Sequence, residues 1–210
     1  MTNTKTMKIA IISLQGAFTE HADILKKASK ELNIKCDIML ARSRKDLDGA
    51  SGIIIPGGES TTINKLLIET GMGKAIIELA KRDIPVLATC AGMIIISNTG
   101  DTQCKKTGKL LGLIGMTVNR NAFGRQKQSF EVEIDLKGIG RVNAVFIRAP
   151  AVTRINDPGA EILAKADGKI VAVRKGNIVA LAFHPELTDD TKVHRYFLER
   201  VLKFYGNIGI

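Results

Sequence analysis

Ile84-Pro85-Val86-Leu87-Ala88-Thr89-Cys90-Ala91-Gly92-Met93-Ile94-Ile95-Ile96 is the stretch whose reading decides the fold. Pro85 cannot donate a ladder hydrogen bond and belongs at the first residue of a strand. Val86-Leu87-Ala88 then reads as a short buried strand, since the run is too short for a helix. Beyond Cys90, the small residues Ala91 and Gly92 permit close backbone approach. Met93 to Ile96 supply the apolar face of a helix expected to end near Asn98 and Gly100. A cysteine at a strand-to-helix turn has the form of a nucleophile elbow, which lifts one side chain off a sheet edge. A thiol at a helix N-terminus ionises more readily, and the thiolate is the nucleophile. A buried, inert cysteine is the alternative of equal weight.

Working outward, Met7 to Leu14 reads as a buried first strand ending at Gln15-Gly16, and Phe18, Ala22, Leu25 and Ala28 mark a helix to about Lys30. Lys35 to Leu40 gives a second strand. Gly52-Ile53-Ile54-Ile55 gives a third that empties into Pro56-Gly57-Gly58-Glu59-Ser60-Thr61-Thr62. Ser60, Thr61 and Thr62 suit a helix start, and Ile63, Leu66 and Leu67 share one face. Gly71 and Gly73 break the pattern before a helix over Lys74 to Lys81. Strands alternating with helices argue for a parallel, doubly wound sheet, with ligands outside the carboxyl ends of the strands. Gln15, the Gly57-Gly58 loop and Cys90 all lie at such ends.

After a polar surface loop from Gly100 to Gly108, the period changes. Met116 to Arg120, Phe130 to Leu136, Val142 to Ile147, Glu161 to Lys165, Ile170 to Arg174 and Ile178 to Ala182 read as short strands separated by Gly, Asp and Asn. The second half is therefore expected to extend the sheet with antiparallel strands before a last helix from about Thr191 to Tyr205. At 210 residues and 45% apolar content, the prior is one domain over 1–210, with residues 1–6 a disordered lead-in. No run approaches the ~18 apolar residues of a membrane span, and the polar start lacks a signal-peptide core. These features point to a cytoplasmic protein that meets no membrane.

Three cysteines without close spacing argue against a disulfide framework and a zinc knuckle, so no metal is expected. Cys36 and Cys104 read as incidental. The net charge of +10 raises the question of nucleic acid, yet the basic residues are scattered and aromatics make up only 4% with no Trp. Stacking platforms are missing, and a solvated surface or a docking face for an acidic partner fits better.

His184 and Glu186 follow an apolar strand, with Pro185 between them, and share one face if the backbone stays extended. A nucleophile needs a histidine as base, and that histidine needs a third group to fix its tautomer. A strand-end histidine satisfied by a neighbouring carboxylate is the plainer alternative. His21, after Glu20, and His194, beside Arg195, read as surface residues.

Three blocks together, Pro56-Gly57-Gly58-Glu59-Ser60-Thr61, Thr89-Cys90-Ala91-Gly92 and Phe183-His184-Pro185-Glu186-Leu187, resemble the class I triad glutamine amidotransferases. Leu14-Gln15-Gly16-Ala17, Asn119-Arg120-Asn121-Ala122-Phe123-Gly124-Arg125-Gln126 and Val145-Phe146-Ile147-Arg148-Ala149-Pro150 are similar to the glutaminase subunits of pyridoxal 5'-phosphate synthase. The resemblance runs from about Met7 to Tyr205. It implies hydrolysis of L-glutamine with Cys90 as nucleophile, His184 as proton carrier and Glu186 orienting it, with no cofactor. It implies an oxyanion hole from the N–H groups of Gly58 and Ala91. Substrate recognition would fall to Gly58, Glu59, Ser60, Arg120, Ile147 and Arg148, with Gln15 supporting the oxyanion loop or the partner contact. Ammonia would pass to a synthase subunit in a large ring assembly, one glutaminase per synthase subunit. Ala88 stands where the family often has Gly at the first elbow position, which a negative φ would accommodate.

Overall fold

The computed structural model describes residues 6–100, 109–124 and 129–207. The lead-in before Thr6, the polar loop with Cys104, and Arg125-Gln126 of the family block lie outside them. In chain order the elements are β1 (Met7–Ile12), α1 (Phe18–Glu31), β2 (Cys36–Ala41), β3 (Gly52–Ile55), α2 (Ser60–Glu69), α3 (Met72–Lys81), β4 (Val86–Thr89), α4 (Ala91–Ile96) and β5 (Ser97–Gly100). There follow β6 (Ile114–Asn119), β7 (Ser129–Leu136), β8 (Gly140–Ile147), β9 (Ala151–Ile155), β10 (Ala160–Ala166), β11 (Lys169–Lys175), β12 (Ile178–Leu181) and α5 (Lys192–Asn207).

Continuous apolar strands need cover on both faces, and that requirement builds the first half. β3, β4 and β12 are buried at every position, and each fully buried Ile or Leu contributes about 1.5–3 kcal/mol relative to exposure. β2, β1, β3, β4 and β12 run side by side in that order, all parallel. α1 packs on α5, and α2 packs on α3 and α4. Beyond β12 the sheet continues through β11, β9 and β6 with antiparallel pairing, and β5 closes the edge parallel to β6. β10 pairs with β11 off this path, and β7 with β8 forms a separate antiparallel hairpin. A mixed sheet that is parallel first and antiparallel later is the architecture expected from the change of period.

Register explains why the site lies where it does. Ala88 of β4 is level with Ile55 of β3 and with Ala180 of β12, and Thr89 is level with Leu181. Three neighbouring parallel strands therefore end together, and the chains leaving them begin at Pro56, Cys90 and Ala182 on one edge.

An aromatic chain fastens the hairpin above that edge. Phe130 stacks on Phe146 at 4.7 Å, and Phe146 meets Phe183 at 5.6 Å, contacts worth about 0.5–1.5 kcal/mol beyond area burial. Phe146 immediately precedes Ile147-Arg148, and Phe183 immediately precedes His184. The His184 N–H also donates to the Val145 carbonyl at 2.8 Å. Packing in the hairpin thus sets the height of the histidine.

One expected boundary shifts, and two strands, β5 and β9, form where none is expected. The helix after Cys90 ends at Ile96 rather than near Asn98, because Ser97 leaves helical geometry and begins β5. Its hydroxyl turns back to the Ile94 carbonyl at 2.7 Å, closing the helix end in the way that makes Ser a helix-terminating residue. β9 forms directly after Pro150. Among the described residues, no helix is long and apolar enough to cross a membrane.

Candidate active site

Cys90 occupies the turn between β4 and α4 with φ 48° and ψ −104°. A side chain there costs about 1–3 kcal/mol, a strain that recurs at functional positions. The surroundings enforce it. The Cys90 N–H is tied to the Leu181 carbonyl of β12 at 2.8 Å, and α4 begins at the next residue. A Cβ at Gly92 would stand 2.2 Å from the Ile55 carbonyl oxygen, so only glycine lets α4 sit this close to β3. Ala88, inside β4, is not among the residues with positive φ, and its methyl group is accommodated.

His184 stands beside Cys90, whose Sγ lies 4.0 Å from the Ile147 carbonyl oxygen, and interacts with that cysteine electrostatically. On its other side, Nδ1 lies 2.7 Å from Glu186 Oε1. The backbone does not stay extended between them: Pro185–Leu187 forms a 3-10 turn, and that turn swings the carboxylate back under the ring. All three side chains are buried. Burial alone would lower the His184 pKa, but the hydrogen bonds and charges of Cys90 and Glu186 outweigh it and raise the value to about 10. The ring is therefore held in its protonated form, with Nδ1–H on Glu186.

The Gly57-Gly58 loop faces this pair at close range. A Cβ on Gly57 would meet His184 Cε1 at 2.4 Å, and one on Gly58 would meet Gln15 Oε1 at 2.6 Å. The Gly57 carbonyl accepts the Ala17 N–H at 3.2 Å. In a trans peptide this turns the Gly58 N–H to the opposite side, away from Ala17. Gln15 holds the loop's far end by accepting the Glu59 N–H at 2.7 Å. Ala91 is the first residue of α4, where a backbone N–H has no acceptor inside the helix.

Above the elbow opens a cavity of about 490 Å3, within the range of small-molecule sites. It is lined by Gln15, Gly58, Glu59, Ser60, Cys90, Ala91, Arg120, Ile147, Arg148 and His184 together with Ile94, Asn121 and Pro150. Every residue singled out in the sequence except Glu186 reaches this lining, and Glu186 stands behind His184. Glu59, not Ser60, is the N-cap of α2: its carboxylate accepts the Thr61 N–H at 3.2 Å. The same oxygen receives Arg120 at 2.7 Å. Burial pushes the Glu59 carboxyl up, but Thr61 and Arg120 prevail and hold it below the usual range, so it is charged. Ser60 Oγ is buried and has no hydrogen-bond partner among the described residues. Arg148 sits at φ 43° and forms no ion pair among the described residues. Among those residues, no group of three or more His, Cys, Asp or Glu is arranged to hold a metal.

Two residues read as surface histidines are wholly buried. His21 on α1 and His194 on α5 face each other, with His21 Nδ1 2.9 Å from His194 Nε2. The signal lay in the helical period rather than the neighbours. His21 shares a stripe with Leu25 and Ala28, and His194 with Phe197, Leu198 and Val201. Thr89, which precedes the nucleophile, has a part that no local pattern signals: its hydroxyl accepts the Gly57 N–H at 3.1 Å.

The model of the "SNO glutamine amidotransferase family" matches residues 11–203. The curated "Pyridoxal 5'-phosphate synthase subunit PdxT" of Methanosarcina mazei is 47% identical over 198 residues, covering 93% of this chain and 99% of that protein. The protein of the same name from Archaeoglobus fulgidus is 47% identical over 194 residues, covering 92% and 98%. A solved structure described as a glutamine amidotransferase superposes with a TM-score of 0.81 at 39% identity, covering 92% of this chain and 98% of that one. A structure of PurLQS from Thermotoga maritima shares the fold, with a TM-score of 0.64 at 14% identity, 96% of this chain and 100% of that one. With a family match over nearly its whole length, this chain belongs to the SNO glutamine amidotransferases.

Proposed function

We propose that this chain is the glutaminase subunit of a pyridoxal 5'-phosphate synthase, hydrolysing L-glutamine to L-glutamate and ammonia. The observation that carries the reading is the line Cys90, His184, Glu186 beneath a cavity whose rim pairs an anionic Glu59 with Arg120 and adds Arg148. The relatives' shared name supplies the pathway.

L-Glutamine presents an ammonium, a carboxylate and a reactive amide. Glu59 suits the ammonium, and Arg120 and Arg148 suit the carboxylate, which a guanidinium fork grips through two N–H groups. Ser60 Oγ offers an unused hydroxyl, and Ile147 packs the aliphatic stem. The side-chain amide then lies over Cys90. With the proton resting on His184, Sγ attacks the amide carbon as a thiolate. The oxyanion forms against the N–H groups of Gly58 and Ala91, donors typically worth a few kcal/mol each. His184 passes its proton to the amide nitrogen, the C–N bond breaks and ammonia leaves. Now neutral, His184 takes a proton from water as the hydroxide attacks the thioester, and glutamate departs as the thiolate returns. Glu186 keeps Nδ1 protonated throughout, so that Nε2 faces the sulfur.

Ammonia is consumed by a separate synthase subunit in a ring assembly that carries one glutaminase per synthase subunit, in the cytoplasm. The test is glutamate release from L-glutamine by the purified chain, alone and with its cognate synthase subunit, beside Cys90→Ala. Turnover that rises with the synthase and vanishes in the variant is expected. Turnover in neither condition rules out the reading for this partner.

A further inference from the structure

Behind the elbow runs a line of buried polar groups that the reaction above leaves unused. His21 Nε2 lies 3.0 Å from Thr89 Oγ1 and 3.3 Å from Glu186 Oε2. Thr89 Oγ1 also accepts the Gly57 N–H. Glu186 Oε1 is engaged by His184, while Oε2 is buried and accepts no hydrogen bond among the described residues. A single imidazole ring therefore stands between the carboxylate that orients His184 and the loop that carries Gly58.

The network assigns the ring's protons. A carboxylate only accepts. If His21 Nε2 were bare, its lone pair would face Glu186 Oε2 at 3.3 Å, and the proton on Nδ1 would pass the chain of donors to His194, leaving His194 Nδ1–H buried with nothing to bond. A buried donor without a partner is costly. With the proton on Nε2 instead, that N–H donates to Thr89 Oγ1 and turns its positive edge to Oε2. Nδ1 then accepts His194 Nε2–H, and the unpartnered His194 Nδ1 is merely a lone pair.

From this geometry, and resting on the glutaminase reading, we infer that His21 is a positioning residue. As its Nε2–H tautomer it braces both Glu186 and, through Thr89, the Gly57-Gly58 loop, while His194 fixes its ring. Burial lowers both pKa values, that of His194 to about 3, and for His21 the neighbouring His194 and His184 lower it further. A neutral His21 adds no second cation beside the protonated His184, so the brace acts through direction and not through charge.

Two measurements decide it. In the wild-type chain labelled with 15N-histidine, nitrogen shifts report which ring atom carries the proton. Only three histidines need assignment. His21 and His194 are expected neutral and protonated on Nε2. His21 protonated on Nδ1, or charged at pH 7, overturns the proposal, and this result does not depend on any turnover.

Glutaminase kinetics in the complex with the synthase subunit supply the second. His21→Leu is expected to lower kcat roughly 10- to 100-fold, the worth of a hydrogen bond to a charged network, with KM changed less than about threefold. His21→Gln, whose amide N–H can stand in for Nε2–H, restores most of kcat, whereas His21→Asn does not. The Gln and Asn pair carries the comparison if the leucine variant fails to fold. In a Glu186→Gln background the loss from His21→Leu should shrink, because the share that passes through Glu186 is already gone and only the arm through Thr89 remains. Equal losses in both backgrounds, equal effects of Gln and Asn, or a change confined to KM would reduce His21 to a packing role. A wild-type complex that releases no glutamate would contradict the glutaminase reading and leave the tautomer result standing as the decision on His21.

Discussion

The two halves of the sheet meet at the site with different duties. The parallel half, β1 to β4 with β12, delivers the Gly57-Gly58 loop, Cys90 and His184 from the ends of strands buried on both faces. The antiparallel half delivers Arg120 from the end of β6, and the separate β7–β8 hairpin delivers Ile147-Arg148 from the end of β8; in both strands side chains alternate between core and solvent. Reacting atoms need positions fixed to a fraction of an ångström, and close-packed strand ends provide them. Recognition of a free amino acid needs charges at a rim, which half-exposed strands provide. At the rim of the cavity the Glu59 to Arg120 ion pair joins the two sides.

If that division is right, damage to the strand-end residues Cys90, His184 and Glu186 falls on kcat, and damage to the rim charges, Glu59 among them, falls on KM. The largest effect is expected from Cys90→Ala, which should lower glutamine hydrolysis by at least ~10,000-fold, as loss of a triad nucleophile does. Next comes Glu186→Gln, which leaves Nδ1 of His184 without its acceptor. It should cost kcat roughly 100- to 10,000-fold with KM little changed, read from steady-state glutamate release. Arg120→Ala and Arg148→Ala should each raise the KM for glutamine by roughly 10- to 100-fold, the worth of a charge-assisted hydrogen bond, and reduce kcat far less. A variant of Arg120 that lost kcat at unchanged KM would break the division.

The smallest effect concerns stability and the buried histidines. Their pKa values are lowered from the usual 6.5, so below pH 6.5 the unfolded chain binds protons that the fold refuses. Stability must therefore fall with pH, by about 1 kcal/mol for each ring between pH 6.5 and 5.5. His184 has the opposite sign: its pKa is raised to about 10, so its contribution is full below pH 6.5 and fades as pH climbs through 10. Urea midpoints across pH 5 to 10 test both, and a midpoint that stayed flat below pH 6.5 would contradict the buried, neutral pair.

The same contrast governs what the sequence made legible. Ile53-Ile54-Ile55 and Val86-Leu87-Ala88 are unbroken apolar runs ended by Gly or Cys, and a run of that kind has few readings other than a buried parallel strand. The elbow and the Gly-Gly loop are recognisable for this reason, whereas the 3-10 turn over Pro185–Leu187 departs from the extended backbone expected between His184 and Glu186. The polar Ser97-Asn98-Thr99-Gly100 carries no strand signal of its own, and β5 exists because β6 offers it a partner. β9 begins against Pro150 and exposes Thr153 and Arg154, a pattern that alone resembles a loop. His21 and His194 were misplaced because Glu20 and Arg195 beside them outweighed the helical period, although an apolar stripe runs through both. The pairing of one histidine with another across two helices is a tertiary event with no local signature.

The most direct test of the account is the covalent step. The complex with the synthase subunit is mixed with L-glutamine, quenched in acid during turnover, digested and examined by mass spectrometry. The account predicts a γ-glutamyl thioester on Cys90, absent from Cys90→Ala. Glutamate released with no adduct on Cys90, or with the adduct on another residue, would contradict it.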